Sequence, residues 1–214
     1  MERKSEMQRI CFVVSMSVAF GALLSGCSTP DVLREPGDIP SRVRSYEIPG
    51  LRECTGNVPV ILDLSECVDY AVMSSDGFSG RSSIVGRFPV RELVQREFNK
   101  VVSGNFRMAL PDEHPKLVLE VDSERIVVKR SWSKVKCDMI FSVKIVDPVQ
   151  ADKKPYFFKK YRVRSVGVHK KRDEVPICVY SEIQNFARLF LEDIPNEHNG
   201  TVIARIKELG VDVD

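Results

Sequence analysis

The residues of this sequence with the clearest chemical potential are its six cysteines. Cys27 stands directly after Leu24, Ser25 and Gly26. A thiol is a nucleophile that can form a thioether, and two small residues before it leave room for a peptidase to approach the backbone. The chemistry of this segment is thus compatible with modification of Cys27 and with cleavage before it.

The residues before Cys27 have the layout of an export signal. Arg3, Lys4 and Arg9 give a positive start, an uncharged run follows from Ile10 to Leu24, and small residues end it. The run is shorter than the roughly 20 apolar residues that a helix needs to cross a bilayer, which favours a cleaved signal over a permanent transmembrane anchor. The alternatives are a plain secretory signal with a chance cysteine and a short signal anchor.

The segment Leu24-Ser25-Gly26-Cys27 resembles the lipobox of bacterial lipoproteins. The resemblance implies that residues 1–26 are removed, that Cys27 receives a diacylglyceryl group and that the new amino terminus is acylated, for example by palmitate. Two or more acyl chains anchor a protein stably, whereas one chain binds only marginally. In enteric lipoproteins an aspartate at the second mature position retains the protein in the inner membrane. Because Ser28 stands there, the resemblance implies the outer membrane, facing the periplasm.

The remaining cysteines fit an exported protein. Cys11 leaves with the signal, and Cys54, Cys67, Cys137 and Cys178 are an even number in a compartment where disulfides persist. We expect the pairs Cys54–Cys67 and Cys137–Cys178, with free buried thiols as the alternative. No Cys-x-x-Cys occurs and no histidine stands near these residues, so no zinc site or redox pair is expected.

The sequence offers little support for catalysis. Three histidines, His114, His169 and His198, are far apart, and none belongs to a metalloprotease motif. The segment Gly77-Phe78-Ser79-Gly80 lacks the spacing of a nucleophile elbow. No phosphate-binding glycine loop is present, so we expect no cofactor, no metal and no enzyme activity. A hydrolase with an unrecognised site is the weaker alternative.

Positive charge is concentrated in one part of the chain. The net charge of +2 gives no reason to expect nucleic-acid binding, yet the segment from Ser123 to Arg172 holds 15 Lys and Arg against 4 Asp and Glu. Residues two apart on a strand share a face, so five of these cations can form one basic surface. They are Lys136, Lys144, Lys160, Arg162 and Arg164. Such a surface could contact lipid phosphates or an acidic partner, and the alternative is that it only keeps the sheet soluble.

The pattern along the chain predicts a tether followed by one domain. Residues 27–50 contain four prolines and no apolar period, which is typical of an extended tether, and residues 51–214 form the domain. We expect a strand at 58–64, a mobile loop at 73–83, a helix from Pro89, strands near 106–110, 117–126, 135–145 and 156–165, and a helix capped by Ser181 with Gln184. A short helix is expected at 201–209.

This order predicts an α+β fold, with a single, mainly antiparallel sheet and two main helices on one face in the order β-α-β-β-β-α. The layout resembles small periplasmic lipoproteins of the YajG type and the auxiliary lipoproteins of ABC-type envelope transport systems. The resemblance implies a non-catalytic binding, assembly or transport-accessory module that meets an envelope protein while Cys27 holds it to the membrane. A purely structural lipoprotein is the alternative.

Overall fold

The computed structural model describes residues 43–76, 82–131, 134–150, 154–168, 174–196 and 201–210. All of them belong to one unit, Val32–Asp214. In chain order the elements are α1 (Arg52–Thr55), β1 (Pro59–Asp63), β2 (Tyr70–Asp76), β3 (Ser82–Pro89), α2 (Val90–Asn105), β4 (Arg107–Met108), β5 (Leu117–Arg130), β6 (Lys134–Val146), β7 (Phe157–Val168), α3 (Glu174–Asp193) and α4 (Thr201–Gly210).

The seven strands form one sheet organised around β5. One edge of β5 pairs in parallel with β1 near its start and with β2 near its end. Its other edge pairs antiparallel with β6, which in turn pairs antiparallel with β7. The predicted α+β class is therefore confirmed. The sheet is mainly antiparallel, as predicted, and also contains three short parallel pairings, β1–β4, β1–β5 and β2–β5. The chain crosses over through α2 before it reaches β5, as parallel pairing requires.

Helices α2 and α3 pack on the same side of the sheet and against each other. Both predicted apolar stripes are buried: Val90, Leu93, Val94, Phe98, Val101 and Val102 in the first, and Ile183, Phe186, Ala187, Phe190, Leu191 and Ile194 in the second. The ring of Phe186 lies 5.0 Å from that of Phe98 and stacks on Phe141 of β6 at 4.5 Å. These aromatic contacts fix both helices to the sheet.

The predicted start of the second main helix was wrong. Helix α3 begins at Glu174, so Ser181 and Gln184 are buried inside it rather than forming a capping box at its end. Pro176 falls in the first turn, where a helix needs no backbone N–H from the residue. A proline there is compatible with a helix that starts earlier than the Ser181 signal indicated.

The expected loop at 73–83 was also wrong in part. Strands β2 and β3 pair as an antiparallel hairpin over the described part of this stretch. Ala71 and Met73 are buried while Tyr70 and Val72 are exposed, which is the alternation of a half-buried strand. The serines after Met73 obscured this pattern, because serine is a poor strand former. Residues of this kind can still belong to a strand when a neighbouring strand pairs with them. The segment Gly77-Phe78-Ser79-Gly80 lies outside the described residues.

The predicted tether extends too far into the domain. Val43 and Ile48 belong to the hydrophobic core, with 6% and 2% of their surface exposed. Two isolated apolar residues among prolines and charges show no period, which is why the pattern gave no sign of them. The folded part of the chain therefore includes residues 43–50. The short helix expected at 201–209 is present as α4.

Candidate interaction surface

The side of the sheet that faces away from α2 and α3 carries alternate residues of β5, β6 and β7. On β7, Tyr161 and Val163 are buried, and the residues between them point to the opposite side. The register sets Asp138 of β6 opposite Arg164. All five predicted basic residues lie on this open face: Lys136, Lys144, Lys160, Arg162 and Arg164.

Four of the five predicted basic residues on the open face are paired with carboxylates. Arg162 donates from Nε and Nη2 to the two oxygens of Asp138 at 2.9 and 2.8 Å, and Arg164 Nε donates to the same carboxylate at 3.1 Å. Lys160 Nζ lies 2.6 Å from Glu124. The exposed pair of Lys160 with Glu124 stabilises the fold by under about 1 kcal/mol, whereas the pairs of Arg162 and Arg164 involve the Asp138 carboxylate, which is only 8% exposed. Their main effect here is to cancel the field of the basic residues.

Lys144 is paired in the same way, whereas Lys136 is not. The Lys144 ammonium lies 3.1 Å from Glu120 and 3.6 Å from Asp122 on β5. The hydrogen bond to Glu120 raises the pKa of Lys144, outweighing a smaller opposite effect of burial. No described ion pair includes Lys136. On the predicted basic surface, positive and negative side chains therefore largely alternate. The sequence did not indicate the acidic partners, because they come from neighbouring strands.

Cys137 and Cys178 lie together in the core. Their sulfur atoms are 3.7 Å apart, and Cys178 Sγ lies 3.2 Å from Ser165 Oγ. Both are free thiols here, as is the buried Cys67. The contact with Cys178 and burial both raise the pKa of Cys137, and burial raises that of Cys67, so these thiols stay protonated. The side chain of Cys54 is outside the described set, so the pair Cys54–Cys67 stays a prediction.

A fully buried carboxylate fastens the amino-terminal segment to both main helices. Glu97 of α2 accepts hydrogen bonds from the hydroxyls of Tyr46 and Tyr180, the latter at 2.6 Å, and from Lys100 Nζ at 3.0 Å. Burial alone would raise the pKa of Glu97, but these bonds outweigh it and hold the pKa below its usual range. The guanidinium of Arg96 covers the Tyr180 ring at 4.2 Å. Tyr46, α2 and α3 are thus joined at one charged centre, which no sequence motif indicated.

Asn105 and Gly104, at the end of α2, hold the same segment by its backbone. Asn105 Oδ1 accepts from the Ile48 amide at 2.6 Å, and its Nδ2 donates to the Tyr46 carbonyl at 2.6 Å. A side chain at Gly104 would place Cβ 2.8 Å from that carbonyl oxygen, closer than real contacts allow. Gly104 therefore permits the close approach of the two chains. The backbone of residues 46–48 is therefore held against the end of α2.

A cleft of about 660 Å³ opens beside this junction. It lies between the amino-terminal segment and the end of α3, where Arg188 is paired with Glu192 at 2.6 Å. Its other lining residues include Val43, Pro49, Leu191 and Pro195. Apolar walls and charged side chains, among them Glu47 and the Arg188–Glu192 pair, therefore line one concave surface.

The described part of the chain contains no group of three His, Cys, Asp or Glu side chains that could hold a metal ion. None of its helices is long and apolar enough to cross a membrane. His114 is exposed, and His169 and His198 lie outside the described residues. Cys27 lies outside them as well.

Comparison of the whole chain with solved structures finds a protein of Xanthomonas campestris assigned to the family DUF330. The superposition has a TM-score of 0.53 and covers 78% of this chain and 96% of the other, at 10% sequence identity. The two proteins share a fold. At this identity the likeness concerns the fold alone.

Two further structures match more loosely. A Caulobacter crescentus protein described as a lipoprotein has a TM-score of 0.36 at 7% identity, over 68% of this chain and 89% of its own. A Helicobacter pylori homologue of the neuraminyllactose-binding hemagglutinin has a TM-score of 0.34 at 12% identity, over 83% and 98%. No protein family model and no curated protein matches the sequence.

Proposed function

We propose that this chain is an exported bacterial lipoprotein whose domain is a non-catalytic binding module of the cell envelope. The proposal depends on Cys27, which follows an export signal within a segment that resembles a lipobox. The folded domain supports it. Tyr46, Ile48 and Asn105 hold the chain that leads back to Cys27 in one position, so an anchored domain has a defined attachment point.

The binding surface in this proposal is the open sheet face. Helices α2 and α3 occupy the other side, and the charges of the open face lie in fixed positions because neighbouring strands pair them. An envelope protein with a complementary pattern of charges can replace the exposed Lys160–Glu124 pair at little cost, since a pair of that kind is worth under about 1 kcal/mol. A transport-accessory role is the version that the sequence resemblance favours.

The anchor is tested by intact-mass analysis of the membrane fraction. We expect a chain that begins at Cys27 and carries acyl groups, and a Cys27→Ala variant that is uncleaved. Cys11→Ala is the matched control, because it replaces a cysteine inside the signal and should leave the processed mass unchanged. A mature protein that begins at Met1 would contradict the proposal.

Membrane choice and docking need separate experiments. Ser28→Asp should move the protein from the outer-membrane to the inner-membrane fraction on a density gradient. For docking, crosslinked partner profiles are compared for the wild type and for Lys160→Glu/Arg162→Glu/Arg164→Glu. Charge reversal of Arg52 and Lys154, which are exposed and do not lie on a strand of the sheet, is the control. Identical profiles for all three proteins would remove the sheet face from the proposal.

A further inference from the structure

One row across the sheet differs from the rest of the open face. It contains one residue from each of five strands, in the order β3, β2, β5, β6 and β7. We call it the cationic row, and its members are Ile84, Ser74, Lys129, Lys136 and Val166. Lys129 and Lys136 stand directly opposite each other, although like charges in that position repel and destabilise a sheet.

The lysines of the cationic row keep their charge exposed. Lys129 and Lys136 are exposed, as is Lys134 two residues along the same face, and no described hydrogen bond or ion pair uses their ammonium groups. Asp138, two residues from Lys136 along β6, is already bound by Arg162 and Arg164. The positive potential that the ion pairs cancel elsewhere therefore remains at this end of the sheet.

The ends of the cationic row are apolar. Val166 is 66% exposed and Ile84 is 57% exposed, among the largest values for apolar residues in the described part of the chain. Exposed aliphatic side chains beside unpaired lysines match the interface of an anionic bilayer, where the lysines meet phosphates and the aliphatic groups enter the headgroup region. A soluble acidic partner would account for the lysines but not for the two aliphatic ends.

The cationic row is at the opposite end of the sheet from the amino-terminal segment around Tyr46 and Ile48. The amino-terminal segment is held at Asn105, which is followed by β4 and lies beside the start of β5 at Leu117. Lys129 lies near the other end of β5, about 40 Å away at roughly 3.3 Å per residue. A domain held by lipid at one end can thus present the row to a second surface.

We propose that the cationic row, with Lys134, binds the surface of an anionic phospholipid bilayer. This inference rests on the proposed lipoprotein function and names one partner of the domain. Binding is mainly electrostatic and is therefore weakened by salt. The ion-paired residues Lys160, Arg162 and Arg164 contribute little to it, although they carry as many formal charges as the three lysines.

The test uses the full acylated protein in phosphatidylcholine donor vesicles and measures capture of labelled acceptor vesicles. Acceptors of phosphatidylcholine alone are compared with acceptors that also contain phosphatidylglycerol, at low and high salt. Lys129→Gln/Lys134→Gln/Lys136→Gln and Lys160→Gln/Arg162→Gln/Arg164→Gln are matched variants, since each loses three positive charges. Circular dichroism establishes that both fold.

We expect capture of phosphatidylglycerol vesicles only, its loss at high salt, and binding about 100-fold weaker for the first triple variant, at roughly fivefold for each lost charge. The second triple variant should stay within about threefold of the wild type. Val166→Ser should weaken capture severalfold without changing its salt dependence.

Three results would overturn the inference: equal loss in both triple variants, equal capture of both kinds of vesicle, or binding of soluble polyglutamate with no capture of vesicles. Competition by dilute glycerol phosphate would likewise show a discrete phosphate pocket instead of a bilayer surface. Protein that does not float with the donor vesicles contradicts the lipid anchor. Protein that fails to float with the donor vesicles is then mixed with the acceptor vesicles and floated with them. Binding of the cationic row to a bilayer is thereby tested independently of the lipid anchor.

Discussion

A disulfide between Cys137 and Cys178 should form in the exported protein and stabilise it strongly. The two sulfur atoms are 3.7 Å apart in the core, and the residues are 41 positions apart in the chain. Exchange with the disulfide of a thiol oxidase removes one hydrogen from each thiol and leaves the oxidase as a dithiol. Closing a loop of this length in the unfolded chain corresponds to about 4 kcal/mol of stability. For a domain of this size the melting temperature should rise by about 10 °C.

Urea denaturation with and without reductant measures the effect. The reductant should lower the urea midpoint of protein purified from the envelope. The Cys137→Ser/Cys178→Ser variant should have this lower midpoint both with and without reductant. Cys67→Ser is the matched control, because Cys67 is a buried thiol elsewhere in the core and its variant should keep the response to reductant. The reasoning is refuted if envelope-purified protein is alkylated at both cysteines before reduction, or if its midpoint does not respond to reductant.

Four further predictions concern the junction and the core. Tyr180→Phe removes a hydrogen bond to the buried Glu97 carboxylate and should cost about 2 kcal/mol of unfolding free energy in urea titrations. The fold lowers the pKa of Glu97, so its carboxylate contributes its full stabilisation of the folded protein at pH values above the unfolded pKa of about 4.3. This contribution should be lost as the pH falls through the lower pKa of the folded state. Glu97→Gln should flatten that acid limb of the stability curve. Asn105→Ala should cost about 2 kcal/mol and speed hydrogen exchange at the Ile48 amide, and a protected amide would count against the contact. Phe186→Ala should cost about 3–5 kcal/mol, since the ring contacts both α2 and β6.

Regular patterns made most of the fold predictable from the sequence. The stripe from Val90 to Val102 repeats at helical spacing, and the alternation from Val135 to Ile145 identifies a strand that is buried on one side. Such patterns depend only on which side of an element faces the core. They therefore predicted the main helices and the central strands without any knowledge of pairing.

The pairing of distant strands could not be read from the sequence. Asp138 and Arg162 become partners only because β6 and β7 adopt one register, and Glu124, at a bulge in β5, reaches Lys160 across β6. A shift of one residue in either register would send these side chains to the other face. The charge on the open face is thus a property of the assembled sheet.

The same dependence on register decides where the sheet keeps its positive charge. Over most of β6 and β7 the register joins opposite charges, so Arg162 and Arg164 meet Asp138. Near the β5–β6 turn it joins Lys129 to Lys136, and the sheet retains two exposed like charges at that end. A sheet that needed lysines only for solubility would gain stability from an acidic residue at either position. The unfavourable pair therefore supports the proposed binding of an anionic surface at this end of the sheet.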